Sequence, residues 1–266
     1  MRRCSVADTF AAAARENRAA LLAFLTAGYP SPALTPSLIE AACAGGADII
    51  ELGFPYSDPL ADGPIIQASS QRALDWGLTF DGVLAIASQL TLSTPLLAFT
   101  YYNPLFVRGL ARSAEDLASA GFAGAIVPDL PLEESSALAA ALHAHGLALT
   151  LLVSPTTPPE RARKIAERSD IFVYAVSRTG VTGTHAGVGA ALSDRIAVLR
   201  KFTSKPLAVG FGVATAQDAH PIADIADGVV VGSALMRAAQ GSEPARAVEG
   251  LCAALARACV RISSPA

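Results

Sequence analysis

The sequence is poor in charge and in aromatic residues. Asp, Glu, Lys and Arg together make up 16% of its 266 residues, and Phe, Trp and Tyr only 6%, with a single tryptophan. The net charge is -3, which predicts no surface for a polyanion. No stretch interleaves basic and aromatic side chains as a nucleic-acid groove would. The four cysteines, Cys4, Cys43, Cys252 and Cys259, are scattered without a CxxC spacing. They read as free thiols in a reducing cytosol. No apolar run approaches the roughly 20 residues that a membrane-spanning helix needs. The start, MRRCSVADTF, carries two arginines but no apolar stretch after them, which predicts no signal peptide and a cytoplasmic protein. There is no GxSxG and no Ser–His–Asp arrangement.

What the sequence does have is apolar residues, 52% of the chain, in an alternating rhythm. Short β-branched or apolar runs predict strands at 21–28, 48–54, 95–101, 124–129, 148–154, 171–177, 206–212 and 228–233. Alanine-rich segments with helical spacing fall near 34–44, 79–91, 113–120, 133–144, 159–168, 191–202, 215–223 and 235–258, with an extra helix over 6–16. Apolar strands alternating with helices imply a parallel sheet covered by helices. Eight such units predict an α/β fold, a single (β/α)8 TIM barrel with an extra N-terminal helix, spanning 1–266 as one domain. A doubly wound open sheet is the alternative, disfavoured because no GxGxxG follows the first strand. Two connections look long, 55–79 and 178–190, and long loops in a compact barrel are usually functional.

A barrel of this kind works at the C-terminal ends of its strands. There the sequence places Glu51, Tyr101, Asp129 and Tyr174, and the glycine-rich ends GFG and VGS. Gly212, Gly232 and Ser233 stand where barrels often bind phosphate, with Gly183 placed to close that corner, although any one of these glycines could simply turn the chain. Glu51 sits among Ile49, Ile50, Leu52 and Phe54. An apolar setting raises a carboxyl pKa toward working pH, as a general acid–base requires. A glutamate buried in a hydrogen-bond or ion-pair network is the competing reading. Asp62 could reach back over the strand end to accept a substrate N–H or O–H, or could form an Asx turn before Gly63-Pro64. Asp58 and Asp62 have no nearby histidine or third acid, so no metal is expected. His143 and His145 fall at a helix end, where a dipole interaction explains them. No lysine ends a strand, which argues against a Schiff-base aldolase.

The segments FLTAGYP, ADIIELGFPYSDPLADGPIIQ, TYYNPLF, GAIVPDLPLEES, LLVSPTTP, VYAVSRTGVTGT, AVGFGV and DGVVVGSAL occur in the order seen in the tryptophan synthase alpha subunit family. The resemblance runs from about residue 20 to 235. It implies a lyase that cleaves indole-3-glycerol phosphate to indole and glyceraldehyde 3-phosphate without metal or Schiff base. It implies that Glu51 is the acid–base group and that Asp62 holds the indole N–H, with Tyr174 beside the acid–base group. It implies an indole pocket including Phe24, Phe99, Tyr101 and Ile126, where Phe99 would narrow the pocket relative to a leucine. Phosphate would be bound by backbone groups of Gly183, Phe211, Gly212, Gly232 and Ser233. The segment from Arg178 to about Gly189 would close over the substrate, with Thr182 meeting Asp62, and its glycine-rich composition predicts mobility without ligand. A partner beta subunit would carry pyridoxal phosphate in an αββα complex, with no cofactor in this chain. It would dock near Asp58-Pro59 and Asn103-Pro104, with Asp129 at the link to the site. A free-standing lyase, an idle barrel kept as an allosteric partner and another phosphosugar enzyme are the competing functions.

Overall fold

A computed structural model describes residues 5–176, 190–210 and 212–261. One sheet of parallel strands runs through it, with helices outside. The strands are β1 (Ala20–Thr26), β2 (Ile49–Gly53), β3 (Leu96–Phe99), β4 (Gly124–Ile126), β5 (Ala148–Thr150), β6 (Leu152–Val153), β7 (Val173–Val176), β8 (Leu207–Gly210) and β9 (Gly228–Val231). The helices are α1 (Val6–Arg15), α2 (Thr35–Ala44), α3 (Pro64–Asp75), α4 (Phe80–Gln89), α5 (Tyr102–Arg108), α6 (Leu110–Ser119), α7 (Ser135–Ala144), α8 (Pro159–Arg168), α9 (Ala190–Arg200), α10 (Ala216–Ala223), α11 (Ser233–Ala238) and α12 (Pro244–Ala258).

Each of the eight expected strand segments is present. The fifth is cut in two, and the cut is what closes the barrel. The sheet order is β5-β4-β3-β2-β1-β9-β8-β7-β6, so its two ends, β5 and β6, are neighbours in sequence. Between them Leu151 turns its N–H out of the ladder to donate to Ser169 Oγ at 3.0 Å. Its carbonyl still accepts from Tyr174 N at 3.1 Å. One segment therefore pairs with β4 through its first half and β7 through its second.

Strand alternation divides the side chains between two cores. Leu21, Ala23, Leu25, Ile50 and Leu52 face outward into the larger core, packed with Leu38, Leu117 and Val248 of the helices. Leu22, Phe24, Ile49, Leu97, Phe99, Ile126, Phe172, Tyr174 and Val230 face inward. The extra helix is at 6–15, as expected, and its role is to plug the N-terminal mouth. Val6, Phe10 and Ala13 of α1 join the inner core, and the Phe10 and Phe172 rings lie 5.3 Å apart. Ser5 starts this helix by accepting from Asp8 N at 3.0 Å.

Three helical assignments need correction. The expected long loop at 55–79 contains α3. Gly63-Pro64 reads as a turn in sequence, but Pro64 is the first residue of that helix, where its missing N–H costs nothing. The expected helix at 235–258 is two, α11 and α12. Gly241 and Ser242 interrupt it, and Pro244 restarts it at an N-terminal position. The segment after β3 forms α5, which was not expected.

At the N-terminal face, acidic residues tie neighbouring strands together. Asp48, just before β2, accepts from Leu21 N at 2.8 Å and from Arg18 Nη1 at 2.6 Å. Asp170, ahead of β7, accepts from Leu149 N at 2.6 Å and pairs with His143 Nε2 at 2.7 Å. Asp227, just before β9, accepts from Leu207 N at 2.8 Å and pairs with Arg200. A strand amide and a basic side chain thus share each carboxylate. His143, at a helix end, also takes part in this stitch, because its partner is Asp170. Replacing Asp48 by alanine leaves Leu21 N without its acceptor and leaves the Arg18 guanidinium only Glu16 and the Ala19 carbonyl. The expected loss is about 2–3 kcal/mol of stability, read as a lower denaturant midpoint with activity retained below it. An unchanged midpoint would dismiss the stitch as decoration.

Candidate active site

Period-two alternation along β2 turns Ile49, Glu51 and Gly53 to the barrel interior. Glu51 is therefore the one carboxylate on an otherwise apolar inner face of β2, opposite Phe24 in the register with β1 and Leu97 in the register with β3. It is 0% exposed, and neither of its carboxylate oxygens has a hydrogen-bond partner among the described residues. Burial alone pushes its pKa up to about 8. Among the described residues no hydrogen-bond donor or cation meets Glu51, which speaks against the network reading.

Asp62 lies beyond the rim, in the loop between β2 and α3, and is 5% exposed. Its Oδ2 accepts from the Tyr101 hydroxyl at 3.0 Å, and that hydroxyl in turn accepts from Ala61 N at 2.9 Å. The Tyr101 ring stacks on Tyr56 at 5.0 Å between centroids. Loop 2 is thus folded back onto the end of β3 by its own residues. Burial raises the Asp62 pKa, the Tyr101 hydrogen bond opposes it, and the net position is about 6. Asp58 is exposed and accepts from Ser57 Oγ at 2.6 Å, apart from the buried acid.

Tyr174 is buried in the barrel. Its pKa is raised by burial and then by the charges of Glu51 and Asp62, so its hydroxyl stays protonated near both acids. Gly210 makes room for it, because a Cβ there would sit 2.4 Å from the Tyr174 hydroxyl. Phe24, Phe99 and Ile126 line the same interior, with the two phenyl rings edge to face. Gly212, Gly232 and Ser233 stand just past the ends of the paired strands β8 and β9. Gly212 has a φ of +94°, a conformation that favours glycine. The sequence candidates Thr182, Gly183 and Phe211, and the expected closing segment at 178–189, lie outside the described residues.

Two residues of this chamber escape sequence reasoning. Ile66 joins the inner core from α3, a helix hidden behind polar residues, and packs near Phe24. Tyr56 backs Tyr101, and only the fold brings them together. Beside the chamber a cavity of about 490 Å³ opens between Leu60 and Ala61 of loop 2, Pro128 and Asp129 after β4, and Leu152 and Val176. Asp129 Oδ1 accepts from Tyr102 N at 2.9 Å, joining that wall to the start of α5.

A closed parallel barrel plugged at one end, with buried acids at the other, is the arrangement of a (β/α)8-barrel enzyme. The sequence matches the model of the family described as tryptophan synthase alpha chain over residues 10–259. It is 46% identical over 252 residues to the tryptophan synthase alpha chain of Picosynechococcus, covering 94% of each chain. It is 46% identical to that of Acaryochloris marina, covering 93% of this chain and 94% of the relative. The fold is similar to a structure of Mycobacterium tuberculosis tryptophan synthase, with a TM-score of 0.89, 36% identity and coverage of 97% and 99%. A tryptophan synthase alpha subunit structure from Legionella pneumophila gives a TM-score of 0.85 at 32% identity, covering 95% of this chain and 97% of that one. The chain belongs to the tryptophan synthase alpha chain family. Its activity is that of the family, the lyase step of tryptophan biosynthesis that cleaves indole-3-glycerol phosphate and hands indole to a beta subunit.

The buried acid carries a stability cost of definite sign. A carboxyl whose pKa is higher folded than unfolded binds more protons in the native state. Its stabilisation is complete below the unfolded value of 4.5 and is lost as pH rises toward the folded value of about 8. Glu51→Gln, which cannot ionise, escapes that loss. The variant is expected to gain stability over wild type from pH 5 to 8, by on the order of 1 kcal/mol per pH unit, and to match it near pH 4. Parallel denaturation curves across that range would expose the opposite trend if Glu51 were ion-paired.

Proposed function

We propose that Glu51 and Asp62 carry out the retro-aldol cleavage of indole-3-glycerol phosphate, in opposite protonation states. The observation that carries this reading is their separation in pKa, about 8 against about 6. Between those values Glu51 holds its proton and Asp62 is ionised. Two carboxyls driven apart by environment divide acid work from charge stabilisation. Glu51 protonates indole C3, and the ring nitrogen becomes positive. The Asp62 carboxylate accepts the N–H and stabilises that charge as it develops. Glu51, now ionised, takes the proton of the hydroxyl on the carbon attached to C3. The bond between that carbon and C3 breaks, its electron pair restores the indole ring, and an aldehyde is left on glyceraldehyde 3-phosphate. Glu51 ends protonated, as it began.

Phe24, Phe99, Ile126, Tyr101 and Tyr174 hold the ring, and Tyr101 also orients Asp62. Backbone groups of Gly212, Gly232 and Ser233, with those of Gly183 and Phe211, take the phosphate, and Thr182 meets Asp62 from the closing segment. Helical and strand-end glycines at that corner suit close approach of an anion. We place the enzyme in the cytoplasm as the alpha component of an αββα assembly, with pyridoxal phosphate in the beta subunit alone. Three exposed apolar side chains support that docking face. Leu60 is 89% exposed on the loop that carries Asp62, and Phe106 and Val107 of α5 are 61% and 77% exposed. Exposed apolar side chains on elements that border the site suit a protein partner better than water.

The test is indole release from indole-3-glycerol phosphate by the purified chain, alone and with a tryptophan synthase beta subunit. Glu51→Gln and Asp62→Asn should each lower kcat by at least about 100-fold, with smaller changes in KM. The beta subunit should raise the rate. Retained activity in Glu51→Gln would overturn the assignment. For wild type, kcat/KM should be bell-shaped in pH, falling below about 6 as Asp62 protonates and above about 8 as Glu51 ionises. Tyr101→Phe removes the hydrogen bond that opposes Asp62 protonation. It should move the acidic limb to higher pH and leave the alkaline limb in place. A shift of the alkaline limb instead would exchange the two roles.

A further inference from the structure

A gap in the sheet holds Arg195 of α9 at the barrel rim. Between β6 and β7 the ladder sets Leu152 opposite Tyr174 and Val153 opposite Ala175, and Tyr174 N donates to the Leu151 carbonyl. Continued in the same pattern, a parallel ladder brings the amide of residue 155 to the Val176 carbonyl. That residue is Pro155, which has no N–H to give. Arg195 Nη2 takes the place of the missing amide and donates to the Val176 carbonyl at 2.6 Å. The guanidinium is thereby fixed at the C-terminal end of β7. Val176 is in register with Gly210 of β8, two residues before Gly212, a step of about 7 Å along a strand.

The charge of Arg195 has no counter-ion. Among the described residues the partly buried arginines are Arg18, Arg108, Arg163, Arg195 and Arg261. Arg18 pairs with Asp48, Arg108 with Asp116, Arg163 with Glu167 and Arg261 with Asp227. Arg195 alone of these has no carboxylate, and its Nε is buried with no hydrogen-bond partner among the described residues. Residues 177–189, outside the described residues, contain no Asp or Glu that could serve it. Burial lowers its pKa, and no carboxylate raises it again. A cation taken partly out of water without a counter-ion is costly. The chain has 23 acidic residues against 20 basic ones, so the missing partner is not explained by a shortage of acids.

We infer that Arg195 is a further substrate-affinity residue, a guanidinium left without a counter-ion at the rim so that its charge draws the dianionic phosphate ester to the Gly212 corner. The inference rests on the indole-3-glycerol phosphate reading above and deepens it. The phosphate groups proposed there are backbone amides and a hydroxyl, none of which carries a full positive charge. A unit charge about 10 Å from a dianion, in a partly screened setting, changes its affinity by about tenfold. Indole carries no charge and is indifferent to it.

The experiment measures binding of glycerol 3-phosphate and of indole to wild type, Arg195→Gln and Arg195→Lys. Glutamine removes the charge and keeps a donor, and lysine keeps the charge. Arg195→Gln should weaken glycerol 3-phosphate about tenfold and leave indole within about twofold. Arg195→Lys should stay within about threefold of wild type for both ligands. In turnover of indole-3-glycerol phosphate, Arg195→Gln should raise KM and leave kcat within about twofold. Added KCl should weaken glycerol 3-phosphate binding to wild type, and less steeply for Arg195→Gln. Unchanged glycerol 3-phosphate binding in Arg195→Gln would overturn the inference and leave the reaction standing. So would an equal loss of both ligands in the two variants, the mark of a side chain that only holds β7. Wild-type affinity for glycerol 3-phosphate that is indifferent to KCl would overturn it without any substitution. Failure of wild type to cleave indole-3-glycerol phosphate would overturn the reaction, and the inference with it.

Discussion

Glu51 is held inside a closed barrel with no hydrogen-bond donor to its carboxylate among the described residues, and the rest of the site is arranged around that imbalance. An ionised carboxylate there has lost its water and gained nothing in return. The group keeps its proton in the neutral range and is for that reason useful as an acid. The setting needs every neighbour to stay apolar and every gap in the barrel wall to stay shut. Leu151 closes the sheet, α1 stops the far mouth, and Phe24, Phe99 and Ile126 fill the interior around the acid. A barrel open at either place would let water reach Glu51 and lower its pKa.

Asp62 solves a different problem with the same means. Its burial is offset by one hydrogen bond from Tyr101, which keeps it easier to ionise than Glu51. That bond also fixes the loop, because the same hydroxyl accepts from Ala61 N and the same ring stacks on Tyr56. Charge state and loop position are therefore coupled through one phenol. Leu60, almost fully exposed in the same loop, links the segment that carries Asp62 to an exposed apolar surface. The stitches at the opposite face, through Asp48, Asp170 and Asp227, hold neighbouring strands together at their starts.

Much of this was legible in the order of residues. The position of Glu51 at the C-terminal end of an apolar strand marked it as a site candidate, because barrels of this kind work at that end. Its apolar neighbours predicted the direction of its pKa shift. Alternating strands and helices pointed to the barrel. Helix α3 was not legible, because Gln67, Ser69, Ser70 and Gln71 mask its apolar stripe and Gly63-Pro64 mimics a turn. With α3 went Ile66, which reaches the inner core only because that helix lies across the rim. The break between α11 and α12 was visible in Gly241 and Pro244, yet the alanine-rich flanks read as one continuous helix.

The sequence by itself determined which face each strand residue takes and which carboxylates lie at strand ends, since both follow from local geometry and spacing. It left open whether Glu51 is paired, whether Asp62 forms a turn or reaches the chamber, and which ring bounds which. Those outcomes depend on contacts between residues far apart in the chain, Tyr101 with Asp62, Phe24 with Gly53 and Phe99, Tyr174 with Gly210. No local pattern encodes them. Only closure of the barrel brings these groups within reach and removes the water that would otherwise set their protonation.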